Sequence, residues 1–130
     1  MIQFSINITP IGKPRMTRSD AWRKRPAVVR YFMYKDALVA AANRAGIDGS
    51  KPPEHVKIYA EFKPPNSWSK KKAAAHILKL HQQKPDCDNI LKGVVDCIWQ
   101  ADQKISKMYV QKIWAEKDRL TIVAKYKGDV

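Results

Sequence analysis

Lys84-Pro85-Asp86-Cys87-Asp88-Asn89-Ile90-Leu91-Lys92-Gly93-Val94-Val95-Asp96, continued by Cys97-Ile98-Trp99-Gln100-Ala101-Asp102, carries two patterns at once. Leu91, Val94, Val95 and Ile98 recur at i, i+3, i+4 and i+7, which predicts a helix over 88–99 with one apolar face, entered from a Pro-Asp turn. The second pattern is acidic. Asp88, Lys92 and Asp96 are spaced by four and form a stripe beside the apolar face. Asp86 and Asp88 are two apart, so extended backbone sends both side chains to one face, with Asp88 the expected helix N-cap. Asp102 lies beyond the helix, where a reversal of the chain is expected to return it toward Asp86 and Asp88.

Working outward from this helix, Ile2, Phe4, Ile6 and Ile8 alternate along a strand over 2–9, which Pro10, Gly12 and Pro14 interrupt. Tyr31 to Ala45 has helical composition, with Gly46 as its stop. Val56, Ile58, Ala60 and Phe62 alternate in a second strand ended by Pro64-Pro65. Ser67 or Ser69 caps a basic helix expected to reach about His81. The segments 105–116 and 120–126 read as strands joined by a hairpin turn at Lys117-Asp118-Arg119. The order β, α, β, α, α, β, β predicts a compact α/β (α+β) fold: one domain over 1–130, with helices packed on a small mixed sheet. No internal repeat is present.

With 25 basic against 12 acidic residues, the formal charge is +13, which points to a polyanionic partner. No apolar run approaches the ~20 residues that span a bilayer, and the N-terminal strand pattern is unlike a signal peptide, so no membrane partner and a cytoplasmic setting are expected. Cys87 and Cys97 read as free thiols, and His55, His76 and His81 are too scattered for a zinc signature. Between 13 and 35, Lys13, Arg15, Arg18, Arg23, Lys24, Arg25, Arg30 and Lys35 face only Asp20, which suggests a DNA-contacting arm that orders on phosphate. Lys70, Lys71 and Lys72 of the basic helix, together with Lys84, are further phosphate candidates; a solvated surface serves them equally well. Trp22 and Trp68 are candidates to stack at an opened crossover, whereas Trp99 and Trp114 lie in apolar-patterned segments and belong to the core.

Four of the twelve acidic residues, Asp86, Asp88, Asp96 and Asp102, fall in one short interval of this basic chain. Carboxylates so placed suit Mg2+, a hard cation taking a few carboxylates plus waters and phosphate oxygens. The plainer reading of Asp88 and Lys92 is a cap and an i,i+4 pair contributing ~0.2–0.5 kcal/mol.

The run Lys84-Pro85-Asp86-Cys87-Asp88-Asn89, with Lys92, Asp96 and then Asp102 before Ile105, resembles the RusA family of Holliday-junction resolvases. That family's pattern is K-P-D-x-D-N, a lysine four residues after the second aspartate, a further aspartate, and D-D-x-Q-[IV]. Gly12-Lys13-Pro14-Arg15 is similar to its early G-K-x-R segment. The resemblance implies a small homodimeric endonuclease, often encoded by phages or prophages, that uses Mg2+ (or Mn2+ in its place) to cut four-way DNA junctions by paired symmetric nicks in recombination and repair. It needs no small-molecule cofactor. It further implies that Asp86, Asp88 and Asp102 hold the metal, that Lys92 is catalytic, and that Asn89 and Asp96 are supporting. Two positions depart from the pattern: Ala101 replaces the first of the paired aspartates, and Lys104 stands where the glutamine is expected.

Pro85-Asp86 followed by Asp102-Gln103-Lys104 formally satisfies a PD-(D/E)xK signature, but helical periodicity between its halves disfavours the strand pair that motif needs. A structure-selective DNA-binding protein with a vestigial acidic pocket is the non-enzymatic alternative. An RNA-directed module is disfavoured by the lack of an aromatic RNP pattern.

Overall fold

A strand buried on one face reads as strict alternation, and His55–Phe62 follows that rule: Val56, Ile58, Ala60 and Phe62 are buried, while the residues between them are half-exposed. The structure, a computed structural model, describes residues 1–15 and 25–129. In chain order the elements are β1 (Ile2–Ile6), α1 (Pro26–Arg44), β2 (His55–Phe62), α2 (Lys70–His76), α3 (Cys87–Ile98), a 3-10 turn (Asp102–Lys104), β3 (Lys107–Trp114) and β4 (Arg119–Lys125). The four strands form a mixed sheet in the order β1-β4-β2-β3, with β2 and β3 parallel and the other neighbours antiparallel.

The register aligns Val56, Ile58 and Ala60 of β2 with Ala124, Ile122 and Leu120 of β4. These six side chains are fully buried, and the larger ones each contribute about 1.5–3 kcal/mol of burial energy. Leu38 of α1 and Ile90, Val94, Val95 and Ile98 of α3 join them in one hydrophobic cluster. That packing fixes the rotation of α3: with its apolar face inward, Asp88, Lys92 and Asp96 face solvent. Trp99 and Trp114 are buried, in agreement with their apolar context.

The expected α+β architecture is found, with three local differences. Helix α1 begins at Pro26, five residues before the expected start at Tyr31, because proline fits the first helical turn where its missing N–H is not needed. At its far end Gly46 takes φ 93°, and the Ile47 N–H donates to the Ala42 carbonyl. Helix α2 ends at His76 instead of near His81. Leu78 adopts a left-handed φ of 70°, turning residues 78–81 onto β3, where the Leu78 N–H donates to Trp114 O and the His81 N–H to Lys112 O. Ser69 is its N-cap, accepting from the Lys72 N–H at 3.1 Å.

The third difference corrects the hairpin. β3 and β4 are not paired; β2 lies between them, and residues 115–118 pass over its end. The Ala115 N–H donates to Phe62 O, and the Asp118 carboxylate accepts from the Lys63 N–H and the Thr9 hydroxyl, each at 2.7 Å. A short polar loop between two strands has the same composition whether or not a third strand is inserted, so local pattern does not distinguish the two.

Candidate active site at the ends of helix α3

Asp86, not Asp88, holds the N-cap of α3. Its backbone is extended (φ −68°, ψ 147°) and its carbonyl accepts from the Asn89 and Ile90 N–H groups, while its carboxylate makes no capping bond. Asp88 lies in the first helical turn, so the expected extended face shared by Asp86 and Asp88 gives way to a helix start. Both carboxylates are exposed, with no hydrogen bond or ion pair to any described residue, beside the positive end of the helix dipole. The turn before them is pinned from β3: the Lys112 ammonium donates to the Pro85 carbonyl at 2.8 Å and to that of Gln83.

One side of α3 receives the loop after β1. Gly12 lies so close to Asn89 that a Cβ there would collide with the amide, and Gly93 leaves room for the Ile11 carbonyl and the Lys13 backbone. The Lys13 N–H points to the Asn89 carbonyl at 3.4 Å, and its ammonium pairs with Asp96 at 2.8 Å. Asn89 and Asp96 therefore hold the loop, and Lys13, expected on phosphate, is engaged by a carboxylate. Lys92, between Asp88 and Asp96, pairs with neither.

Asp102 lies past the other end of the helix, exposed in the 3-10 turn. It lines a cavity of about 530 Å³ together with Lys35, Asn43, Asp96 and Gln100. The Gln100 N–H donates to Gly49 O, and Ser106 and Lys107 donate to Glu54 O, which fixes this region at the start of β2. A twelve-residue helix is roughly 18 Å long and Asp102 follows soon after its end, so little chain is left to return it toward Asp86 and Asp88 within one chain. Among the described residues, no three His, Cys, Asp or Glu side chains converge to hold a metal ion. The donor chemistry at the α3 N-terminus nonetheless fits Mg2+, which takes one or two carboxylates and fills its remaining positions with water and phosphate oxygens. Within one chain the fit extends to Asp86 and Asp88 and stops short of Asp102.

Of the phosphate candidates, Arg15, Arg25, Lys70, Lys71, Lys72 and Lys84 are exposed. Arg25 donates to the Arg15 carbonyl at 2.8 Å, and the Lys72 ammonium lies 4.3 Å from the centre of the Trp68 ring. Arg18, Trp22, Arg23 and Lys24 lie outside the described residues. Trp68 packs at a tilt against Trp114 and His76, with ring centres 4.9 and 4.6 Å away, so part of its ring is already engaged within the chain.

Two buried groupings had no sequence signal beyond their apolar surroundings. His81 packs between Phe62 and Trp114, ring centres 4.2 Å from each; burial, reinforced by Lys112, lowers its pKa. The Tyr31 hydroxyl meets Cys97 Sγ at 3.3 Å, and burial pushes both groups' pKa values up. Cys97 and Cys87 are free thiols, as expected.

Two similarities to known proteins bear on this geometry. The profile of the family described as Endodeoxyribonuclease RusA matches residues 6–124, from the end of β1 into β4. The uncharacterized protein YqaN of Bacillus subtilis (strain 168) is 30% identical over 135 residues, covering 95% of each chain.

Proposed function

The chain belongs to the RusA endodeoxyribonuclease family, and from that premise we propose that it is a Mg2+-dependent nuclease that resolves four-way DNA junctions by paired nicks, acting as a homodimer in the cytoplasm. The observation that carries this reading is the pair of unengaged carboxylates, Asp86 and Asp88, at the start of α3 in a chain of charge +13. Apart from Lys92, the polar side chains further along that helix are engaged: Asn89 and Asp96 hold the 11–13 loop, and the apolar face is in the core.

Asp86 and Asp88 would hold the ion, with Asp102 as the third carboxylate; Mn2+ is the expected substitute. A bound divalent cation supplies Lewis-acid polarisation of the scissile phosphodiester and a more acidic water. Lys92, one turn along from Asp88 and free of any carboxylate, would neutralise charge that develops on the phosphoryl oxygens. Exposed Arg15, Arg25, Lys70, Lys71 and Lys84 bind backbone phosphates, which makes junction binding steeply salt-dependent. The serving processes are recombination and repair, where such junctions arise. No helix among the described residues is long and apolar enough to cross a membrane.

The test is cleavage of a synthetic four-way junction with and without Mg2+, using linear duplex and single strand of the same sequence as controls. Symmetric nicks in the junction alone are expected. Tight junction binding with no cutting in Mg2+ or Mn2+ sinks the nuclease reading and leaves a structure-selective binding protein, the outcome that the departures at Ala101 and Lys104 would then explain.

A further inference from the structure

We propose that the face of the sheet turned away from α1 and α3 binds single-stranded DNA, stacking its bases on Tyr59 and Tyr109 and holding its phosphates with Lys57, Lys107 and Lys125. This is a second nucleic-acid surface, apart from the carboxylates of α3, and it stands whether or not the chain cuts junctions.

Strand alternation gives the sheet two faces. Val56, Ile58 and Ala60 of β2 and Leu120, Ile122 and Ala124 of β4 join the core with side chains of α1 and α3. The residues between them point the other way, and the register sets them in rows across β3, β2 and β4. Lys107, His55 and Lys125 make one row, Tyr109, Lys57 and Val123 the next, and Gln111, Tyr59 and Thr121 the third. Apart from Val123 these side chains are half-exposed or exposed, with Tyr109 at 45%.

Like charges set side by side on neighbouring strands destabilise a sheet. Yet Lys107 and Lys125 flank His55, with Lys57 two residues along the same strand. None of these three ammonium groups pairs with a carboxylate among the described residues. Burial, and then Lys57, Lys125 and Lys107, hold His55 below its ordinary pKa against the opposing pull of Glu54, so the cations converge on one spot. Glu61, the only acidic residue in the four strands, lies at the far end of β2, 3.7 Å from Arg119. A polyanion relieves this repulsion, and the two tyrosines select which polyanion. Their ring centres are 5.8 Å apart and their planes 52° from parallel, so the rings do not lie flat on each other. Aromatic side chains beside a basic track hold single strands, because each unpaired base offers a π-face to stack on. A duplex keeps its bases stacked inside and presents phosphates alone. Membership of an endodeoxyribonuclease family makes the favoured strand DNA.

The test is fluorescence anisotropy of a labelled oligothymidine of about 12 nucleotides, in EDTA so that no cutting is involved. Tyr59→Leu with Tyr109→Leu, and separately Lys57→Gln with Lys107→Gln, are each expected to weaken binding about tenfold. Lys51→Gln with Lys117→Gln removes the same charge from exposed loops and is expected to change it less than about twofold. Equal losses in all three variants mean that net charge alone holds the strand, and overturn the proposal. So does unchanged binding in the tyrosine variant, or an oligouridine RNA that binds more tightly than the DNA. A measurement on the wild type guards against variants that fail to fold: ultraviolet cross-linking to the same oligomer carrying 5-bromouracil, followed by peptide mass spectrometry. Cross-links are expected within 55–62 and 107–114, and cross-links confined to 13–35 or to α2 overturn the assignment. Junction cutting is not read in either experiment, so a wild type that never cuts defeats the nuclease reading and leaves this one to its own result.

Discussion

The two ends of helix α3 carry aspartates in very different states. At the C-terminal end, Asp96 is paired with Lys13 and Gln100 is tied to Gly49, so the polar groups there fasten the helix to the loops around it. At the N-terminal end, Asp86 and Asp88 contact no described partner, although a capping bond from Asp86 would have stabilised the helix by about 1 kcal/mol. The contrast teaches that position in an acidic stripe does not define a role. Asp88 and Asp96 share one face of one helix, yet one is bound up in holding the fold and the other is left available to a ligand.

The sharpest way to break this contrast is at the residue between them. Lys92→Ala is expected to lower the cutting rate about 100-fold with an unchanged melting temperature, since its ammonium touches no carboxylate; junction cleavage and thermal unfolding are the readouts. A matching loss of stability would assign Lys92 to the fold.

At the other end, Gly49→Ala places a Cβ 2.5 Å from the Ile98 carbonyl, a backbone atom that cannot swing away. The expected cost is about 1–3 kcal/mol in urea unfolding, because the end of α3 must shift. Little change would show that this end is looser than its hydrogen bonds imply.

A smaller effect concerns pH. His81 is held below its ordinary pKa of 6.5 by burial and by Lys112, so the unfolded chain takes up its proton first as pH falls. Stability is full above 6.5 and drains as pH drops below it through the lower folded value. His55 is shifted in the same direction, so His81→Phe is expected to shallow the fall in melting temperature from pH 7 to 5.5 without removing it. An unchanged slope would clear His81 of this role.

Smallest of all, a double-mutant cycle of Lys13→Met and Asp96→Asn is expected to give a coupling of about 0.2–1 kcal/mol, as for other half-exposed ion pairs. A null coupling would mean that Gly12, Gly93 and Asn89 seat the loop unaided.

Much of this was legible in the sequence, because apolar periodicity reports directly on burial. Ile58 and Val94 reveal their strand and helix by spacing alone, and the α+β class follows from the order of such segments. What periodicity does not report is partner choice. Nothing local to Lys117-Asp118-Arg119 tells that β2 lies between β3 and β4, and nothing local to Asp96 names Lys13, far away in the chain, as its partner. Asp102 illustrates the same limit. The turn after α3 was expected to double back, but the Gln100–Gly49 bond and the docking of Ser106 on Glu54 hold it at the start of β2. Sequence spacing placed Asp88 and Asp96 on one helix, set its N-cap two residues late at Asp88 instead of Asp86, and left the distance to Asp102 open.

The most direct measurement compares Asp88→Asn with Asp96→Asn in one assay of junction binding and Mg2+-dependent cutting. The account predicts that Asp88→Asn binds the junction at least as tightly as wild type, having lost a negative charge, and does not cut it. Asp96→Asn, by contrast, cuts at close to the wild-type rate. Equal loss of cutting in both, or loss of binding and cutting together in Asp88→Asn, would contradict it.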